Sequence, residues 1–208
     1  MKKYLVEFIG TFFLVATIGC VVLKPDNAGP LAPIAIGAIL MTMVFAGGHV
    51  SGAHYNPAVT LAVYLRGKCP AGDVGPYLIS QVLGAVAAAI VVLFFKGNRG
   101  EAGNPDIARA LVAEFLYTFA LCYVVLNVAT AKGTSGNTFY GLAIGFTVLA
   151  GAFSVGAISG GAFNPAVALG VTIMGLSAPA NIWIFLVANF AAAVAAAQAF
   201  KFINPEDV

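Results

Sequence analysis

The chain has 208 residues, of which 61% are hydrophobic and 9% charged, and its formal net charge is +2. An average soluble domain is about 25% charged, so this composition excludes a water-covered globular surface and makes lipid the expected solvent. The small, dispersed positive balance gives no basis for a nucleic-acid partner, and Cys20, Cys69 and Cys122 lack the spacing of a disulfide framework or a zinc site, so they read as buried apolar thiols.

In chain order, the first element is an apolar run over residues 4–23. It follows Met1-Lys2-Lys3 as the core of a signal peptide would, but it carries Glu7 and no Ala-x-Ala pattern closes it. Its length suits a first membrane helix rather than a cleaved leader. Five further runs are long enough to span, over residues 31–50, 77–95, 107–131, 139–158 and 180–202. Polar or Gly/Pro-rich breaks such as Lys24-Pro25-Asp26-Asn27, Arg66-Gly67-Lys68 and Lys132-Gly133-Thr134-Ser135-Gly136-Asn137 separate most of them. Two shorter apolar pieces, residues 57–65 and 165–174, would each cover only about 15 Å as helix, roughly half of the ~30 Å hydrocarbon core.

Each short piece opens with the same tripeptide, Asn56-Pro57-Ala58 and Asn164-Pro165-Ala166, 108 positions apart. The surrounding frames match, residues 51–59 with residues 159–167. A second echo, Glu7-Phe8-Ile9-Gly10-Thr11-Phe12 against Glu114-Phe115-Leu116-Tyr117-Thr118-Phe119, recurs after 107 positions. Two echoes at nearly one offset indicate a duplicated unit of about 100 residues. The whole chain, 1–208, then reads as one transmembrane domain made of repeats near 1–103 and 104–208. Three spans per repeat is an odd number, so the second repeat must enter from the opposite side. This predicts an all-α membrane protein with six transmembrane helices and two re-entrant half-helices in an inverted repeat.

The tripeptide is a helix start. Asn is a strong N-cap, and Pro suits the first helical position. Loop backbone at membrane depth is tolerated only when buried in protein or lining a wet cavity. Two half-helices entering from opposite faces would point their partly positive N-termini at each other. The amides of Asn56 and Asn164 could then donate hydrogen bonds to a small neutral solute, while a cation, hydronium included, meets two dipole ends of its own sign. With the N-terminus inside, Lys2, Lys3, Arg66, Lys68, Lys132 and Lys201 face the cytoplasm against Lys24, Lys96, Arg99 and Arg109 outside, and Asp26, Glu101 and Asp106 offset the outer set. That bias favours cytoplasmic termini, and the short termini fit a cell membrane.

These motifs together resemble the aquaporin and glycerol-facilitator family over essentially the full length: two Asn-Pro-Ala boxes, Glu7 and Glu114 in the first helix of each half, residues 47–55 before the first box, and Gln81 in the third helix. The resemblance implies an aquaporin-like fold, a homotetramer with a pore in each protomer, and a ladder of pore-facing carbonyls from Gly52, Ala53, His54 and Tyr55 and from Gly160, Gly161, Ala162 and Phe163. It implies no cofactor and no metal, and as partners the lipid bilayer, water and small neutral solutes. Members of the family commonly carry an Arg after the second box. Here that position is Val167, and the family's other filter positions fall at Ile36, Ala152 and Gly161. The position after it, often acidic in glycerol channels, is Ala168. Val supplies neither charge nor donor, so the expected filter is wide and apolar, open to ammonia, hydrogen peroxide, urea or glycerol besides water. The alternative is a filter narrowed by Phe153, Phe163 or Tyr140.

Glu7 and Glu114 are expected to hold the re-entrant loops by accepting hydrogen bonds, rather than to relay protons. His49 and His54 have no neighbouring ligand set, so a metal is not expected, and a pH gate stays the minor reading of them. Gly10, Gly37, Gly84, Gly141 and Gly145 are expected at close helix crossings. The expected function is a passive channel for water and small neutral solutes that excludes protons and ions. The rival is a secondary transporter, which would need a coupling site that only Glu7 or Glu114 could supply. No nucleophile–base set or phosphate loop points to an enzyme.

Overall fold

The computed structural model describes residues 1–25 and 27–207; Asp26, one of the three acids placed on the outer side, lies outside the described residues. Among the described residues, six helices are long and apolar enough to cross a membrane. They are α1 (Lys2–Val22), α2 (Ala32–Ser51), α4 (Ala71–Lys96), α5 (Ile107–Thr130), α6 (Tyr140–Ser159) and α8 (Ile182–Ile203). Two short helices, α3 (Pro57–Leu65) and α7 (Pro165–Ile173), have 9 residues each, about 14 Å of rise. The half-helices therefore fall where the tripeptides place them, α7 ending one residue before the expected limit.

The larger difference is α4, which starts at Ala71 rather than Tyr77. Residues 71–76 are too polar and too rich in Gly and Pro to read as a lipid-spanning run, yet they are held as helix from outside the element. Asp73 in the first turn suits a helix N-terminus. Its carboxylate accepts from Tyr4 Oη at 2.8 Å and pairs with the Lys3 ammonium, tying α4 to α1. Pro76 deprives the Gly72 carbonyl of its intrahelical donor, but Gly72 is exposed at the open helix end.

The two halves pack alike. α1 lies on α4 and α2 as α5 lies on α8 and α6, and α2 crosses α6 between the halves. The half-helices are exchanged: α3 packs on α8, and α7 packs on α4. At the α2–α6 crossing a Cβ on Gly37 would sit 2.8 Å from the Gly145 carbonyl oxygen, and one on Gly145 would sit 2.5 Å from the Gly37 oxygen. The backbones thus touch, as small residues permit within a bilayer. A Cβ on Gly84 would stand 2.5 Å from the Phe8 carbonyl oxygen, and one on Gly141 2.9 Å from the Phe45 ring.

A Cβ on Gly10 would stand 2.1 Å from the Tyr55 ring. Gly10→Ala must displace that ring and the loop carrying it, at a cost of about 1–3 kcal/mol for overpacking. A lower melting temperature of the detergent-solubilised protein, together with reduced water permeability in vesicles, is the expected outcome.

Contacts at the helix ends assign the two faces. Arg66, just past α3, is only 3% exposed. Its guanidinium pairs with Asp207 Oδ1 at 2.9 Å near the C-terminus and lies 4.6 Å from the Phe200 ring centroid. Asp207 Oδ2 also accepts from the Lys132 backbone N–H at 2.8 Å. The α3 exit, the α5–α6 connection and the C-terminus thus share one face. Arg66, counted in the sequence only as a cation on the side of the termini, is a buried ion-pair partner. On the other face the Gly100 N–H, in the α4–α5 connection, donates to the Met174 carbonyl past α7 at 2.8 Å. The half-helices therefore leave by opposite faces and meet tip to tip. Large apolar side chains such as Leu5, Phe13, Phe94 and Phe146 point outward, which suits lipid. The three cysteines are unpaired, Cys69 and Cys122 buried and Cys20 half-buried.

Candidate functional site

The site is built at the tips of α3 and α7. Asn56 and Asn164 are in extended conformation and cap the helices that follow them. Asn56 Oδ1 accepts from the Ala58 N–H at 2.8 Å, and Asn164 Oδ1 from the Ala166 N–H at 2.9 Å. The amide nitrogens reach across the repeat. Asn56 Nδ2 donates to the Phe163 carbonyl at 2.9 Å, and Asn164 Nδ2 donates to the Tyr55 carbonyl at 2.8 Å. Each amide carries two hydrogens, so each keeps one N–H beyond this bond.

The loops before the tips depart from ordinary backbone geometry. Ala53, Tyr55 and Phe163 have φ of +52°, +50° and +48°, while Gly52, Gly160 and Gly161 have +83°, +94° and +64°. Left-handed non-glycine residues carry strain and persist only where the surroundings over-determine them. Glu7 and Glu114 supply that constraint. Glu7 Oε1 accepts from the Ser51 hydroxyl at 2.7 Å and the His54 N–H at 3.0 Å; Oε2 accepts from the Tyr55 N–H at 2.7 Å and Gln81 Nε2 at 2.8 Å. Glu114 repeats the pattern with the Ser159 hydroxyl at 2.7 Å, the Ala162 N–H at 3.0 Å and the Phe163 N–H at 2.7 Å.

The fourth donor to Glu114 is Asn189, which sequence reasoning missed. It stands 108 positions after Gln81 and is fully buried. The amide orientation that suits all its neighbours turns the oxygen to the Asn164 N–H at 2.9 Å. Its NH2 then faces Thr118 Oγ1 at 2.9 Å and Glu114 Oε2 at 3.3 Å. The repeat offset applied to Gln81 was the signal that could have found it.

His54 has no counterpart, because the repeat places Ala162 there. Its Nδ1 lies 3.1 Å from Thr60 Oγ1. That hydroxyl already donates to the Asn56 carbonyl and accepts from Gln81 Nε2, both at 3.0 Å. Nδ1 must therefore be the donor, which leaves Nε2 as an acceptor in a neutral ring. His49 is exposed at the end of α2.

Three cavities follow one another through the protein. The one opposite the termini, called outer below, has about 330 Å³, and Ile36, Ala152, Gly161 and Val167 are all among its lining residues. A central one of about 20 Å³, room for a single water, holds Asn56 and Asn164 among aliphatic side chains. A vestibule of about 920 Å³ opens to the face of the termini. Of the carbonyl-ladder residues, Gly160, Gly161 and Ala162 line the outer cavity, Ala53, His54 and Tyr55 the central one, and Gly52 the vestibule. Phe163 is 1% exposed and packs on Tyr117 with ring centroids 5.5 Å apart. Its carbonyl and that of Tyr55 are the two already engaged by asparagine amides. Phe153 is 54% exposed on the outside of the bundle, and Tyr140 lines the vestibule rather than the outer cavity. Neither is among the residues that line the cavity of Ile36, Ala152, Gly161 and Val167.

Six spanning helices enclosing two opposed half-helices, with cavities strung through their meeting point, define an integral membrane protein of the inverted-repeat channel class. The chain belongs to the major intrinsic protein family, whose pattern it matches over residues 1–200. It is 38% identical to Aquaporin NIP1-1 of Oryza sativa subsp. japonica over 216 residues, covering 98% of this chain and 75% of the relative. It is 34% identical to Nodulin-26 of Glycine max over 218 residues, covering 100% of this chain and 79% of the relative. Its fold resembles the X-ray structure of the aquaglyceroporin from Plasmodium falciparum, with a TM-score of 0.83 at 20% identity over 98% of this chain and 97% of that one.

Proposed function

We propose that the chain is a passive transmembrane channel for water and small neutral solutes, with ammonia, hydrogen peroxide, urea and glycerol as the candidates, and that it excludes protons and ions. One observation carries this reading: two helix N-termini face each other across a water-sized cavity, and Asn56 and Asn164 each keep one N–H to offer there. A neutral solute with an acceptor gains those donors. A cation gains nothing and meets the positive ends of two helices. Names of relatives, aquaporins among them and an aquaglyceroporin among structural neighbours, agree with this reading.

Ile36, Ala152, Gly161 and Val167 act as the filter in this proposal, and the free carbonyls of residues 52–54 and 160–162 as the acceptors that replace hydration. Glu7 and Glu114 position the loops. Each carboxylate is saturated by hydrogen bonds, which removes the groups that coupled transport would need. We further propose one domain of two repeats over 1–208, termini in the cytoplasm, a cell-membrane location, a homotetramer and no enzymatic activity.

Stopped-flow light scattering on proteoliposomes tests the reading. Water flux well above empty vesicles, with non-saturating urea or glycerol uptake, is expected. Saturable, gradient-driven uptake would point to a transporter. Proton conductance in sealed vesicles is expected to equal that of the empty control, and a larger current would falsify the exclusion.

A further inference from the structure

We infer that Asn104, carried into the outer mouth by the α4–α5 connection, is a specificity-determining residue of the channel, supplying the hydrogen-bond donor that Val167 lacks. The inference rests on the channel reading and names what sets its solute range. Among the described residues that line the outer cavity, three have polar side chains: Asn104, Ser159 and Ser177. The Ser159 hydroxyl is spent, donating to Glu114 at 2.7 Å and accepting from the Gly161 N–H at 3.1 Å. Among the described residues Asn104 and Ser177 make no side-chain hydrogen bond. Asn104 brings two N–H groups and one oxygen, Ser177 a single hydroxyl.

The connection that carries Asn104 is anchored on both sides. Upstream, the Gly100 N–H donates to the Met174 carbonyl at 2.8 Å, and Gly175, at φ +78°, packs so close that a Cβ on it would sit 2.8 Å from the Gly100 oxygen. Downstream, Asp106 caps α5 by accepting from the Arg109 N–H at 3.0 Å. Between these anchors Gly103, Asn104 and Pro105 form part of the cavity wall.

The chemistry follows from the imbalance of the wall. Backbone carbonyls of the second loop supply acceptors, and the four filter side chains supply nothing polar. A solute entering an apolar constriction gives up water, which is costly unless its polar groups find partners. Urea and glycerol both carry acceptor oxygens, and Asn104, in the same wall, carries an amide able to donate to them. A neutral donor does this without fixed charge.

The test compares the wild-type chain with Asn104→Leu and Asn104→Gln in proteoliposomes, reading urea, glycerol and water permeabilities. Asn104→Leu is expected to lower urea and glycerol permeability about three- to tenfold, the worth of one hydrogen bond, with water changed less than about twofold. Asn104→Gln is expected to restore most of the solute flux. Unchanged solute flux in Asn104→Leu, or an equal loss of water and solute, overturns the inference while leaving the channel intact. Wild-type protein that passes water but neither solute overturns the solute reading and this inference with it.

Discussion

Val167→Arg is expected to cut urea and glycerol permeability by about tenfold or more while keeping water within a few-fold of the wild type. Val167 is 3% exposed, occupies the third position of α7, and borders both the outer and the central cavity. Its side chain therefore stands where the path narrows from about 330 to about 20 Å³. An arginine there has space to extend into the outer cavity, so it fills the mouth without breaking the core. A cation near a helix N-terminus is unfavourable by about 0.3–1 kcal/mol, which a folded protein tolerates. Paired flux measurements on reconstituted variant and wild type check the result. Equal solute flux in both would place the filter elsewhere.

Glu7→Gln and Glu114→Gln are expected to be severe, although the change is only from oxygen to NH2. Each carboxylate accepts from four donors: a serine hydroxyl, two backbone N–H groups and a side-chain amide. A carboxamide offers a single acceptor oxygen, so two donors are left facing an NH2 group. Buried unsatisfied donors cost about 1–3 kcal/mol each, and the loops they hold carry strained residues at Ala53, Tyr55 and Phe163. Lower yield of folded protein and a melting temperature reduced by several degrees are expected for both variants. The two should behave alike, since the arrangements match. A proton relay instead predicts a normally folded protein with altered pH dependence of flux, and that result would remove the positioning role.

Much of the fold and of the pore is legible in the amino-acid sequence, because it depends on local chemistry that the chain repeats. Asn56-Pro57 and Asn164-Pro165 specify helix starts, and the matched glutamates and glycines mark what must sit under them. The half-helix length follows from where the apolar run ends. The first turns of α4 are not legible, since hydropathy reports contact with lipid, and residues 71–76 are helical through ties to Lys3 and Tyr4. Asn189 is hidden because Asn and Gln differ by a methylene, so the echo of Gln81 does not catch the eye. Arg66 with Asp207, and Asn104 in the mouth, depend on where connections fold back, and no local pattern encodes that.

The exchange of half-helices between halves has a consequence for biosynthesis. When the first half has been inserted by the translocon, α3 lacks its seat on α8, and the Asn56 amide lacks the Phe163 carbonyl. No pore exists until the last helix arrives, so a nascent chain cannot leak solute through a half-built conduit. The same geometry rules out rescue by a free half-length chain inserted in one direction only. Two such chains could rebuild the pathway only by entering the bilayer in opposite senses, one as the mirror of the other's topology.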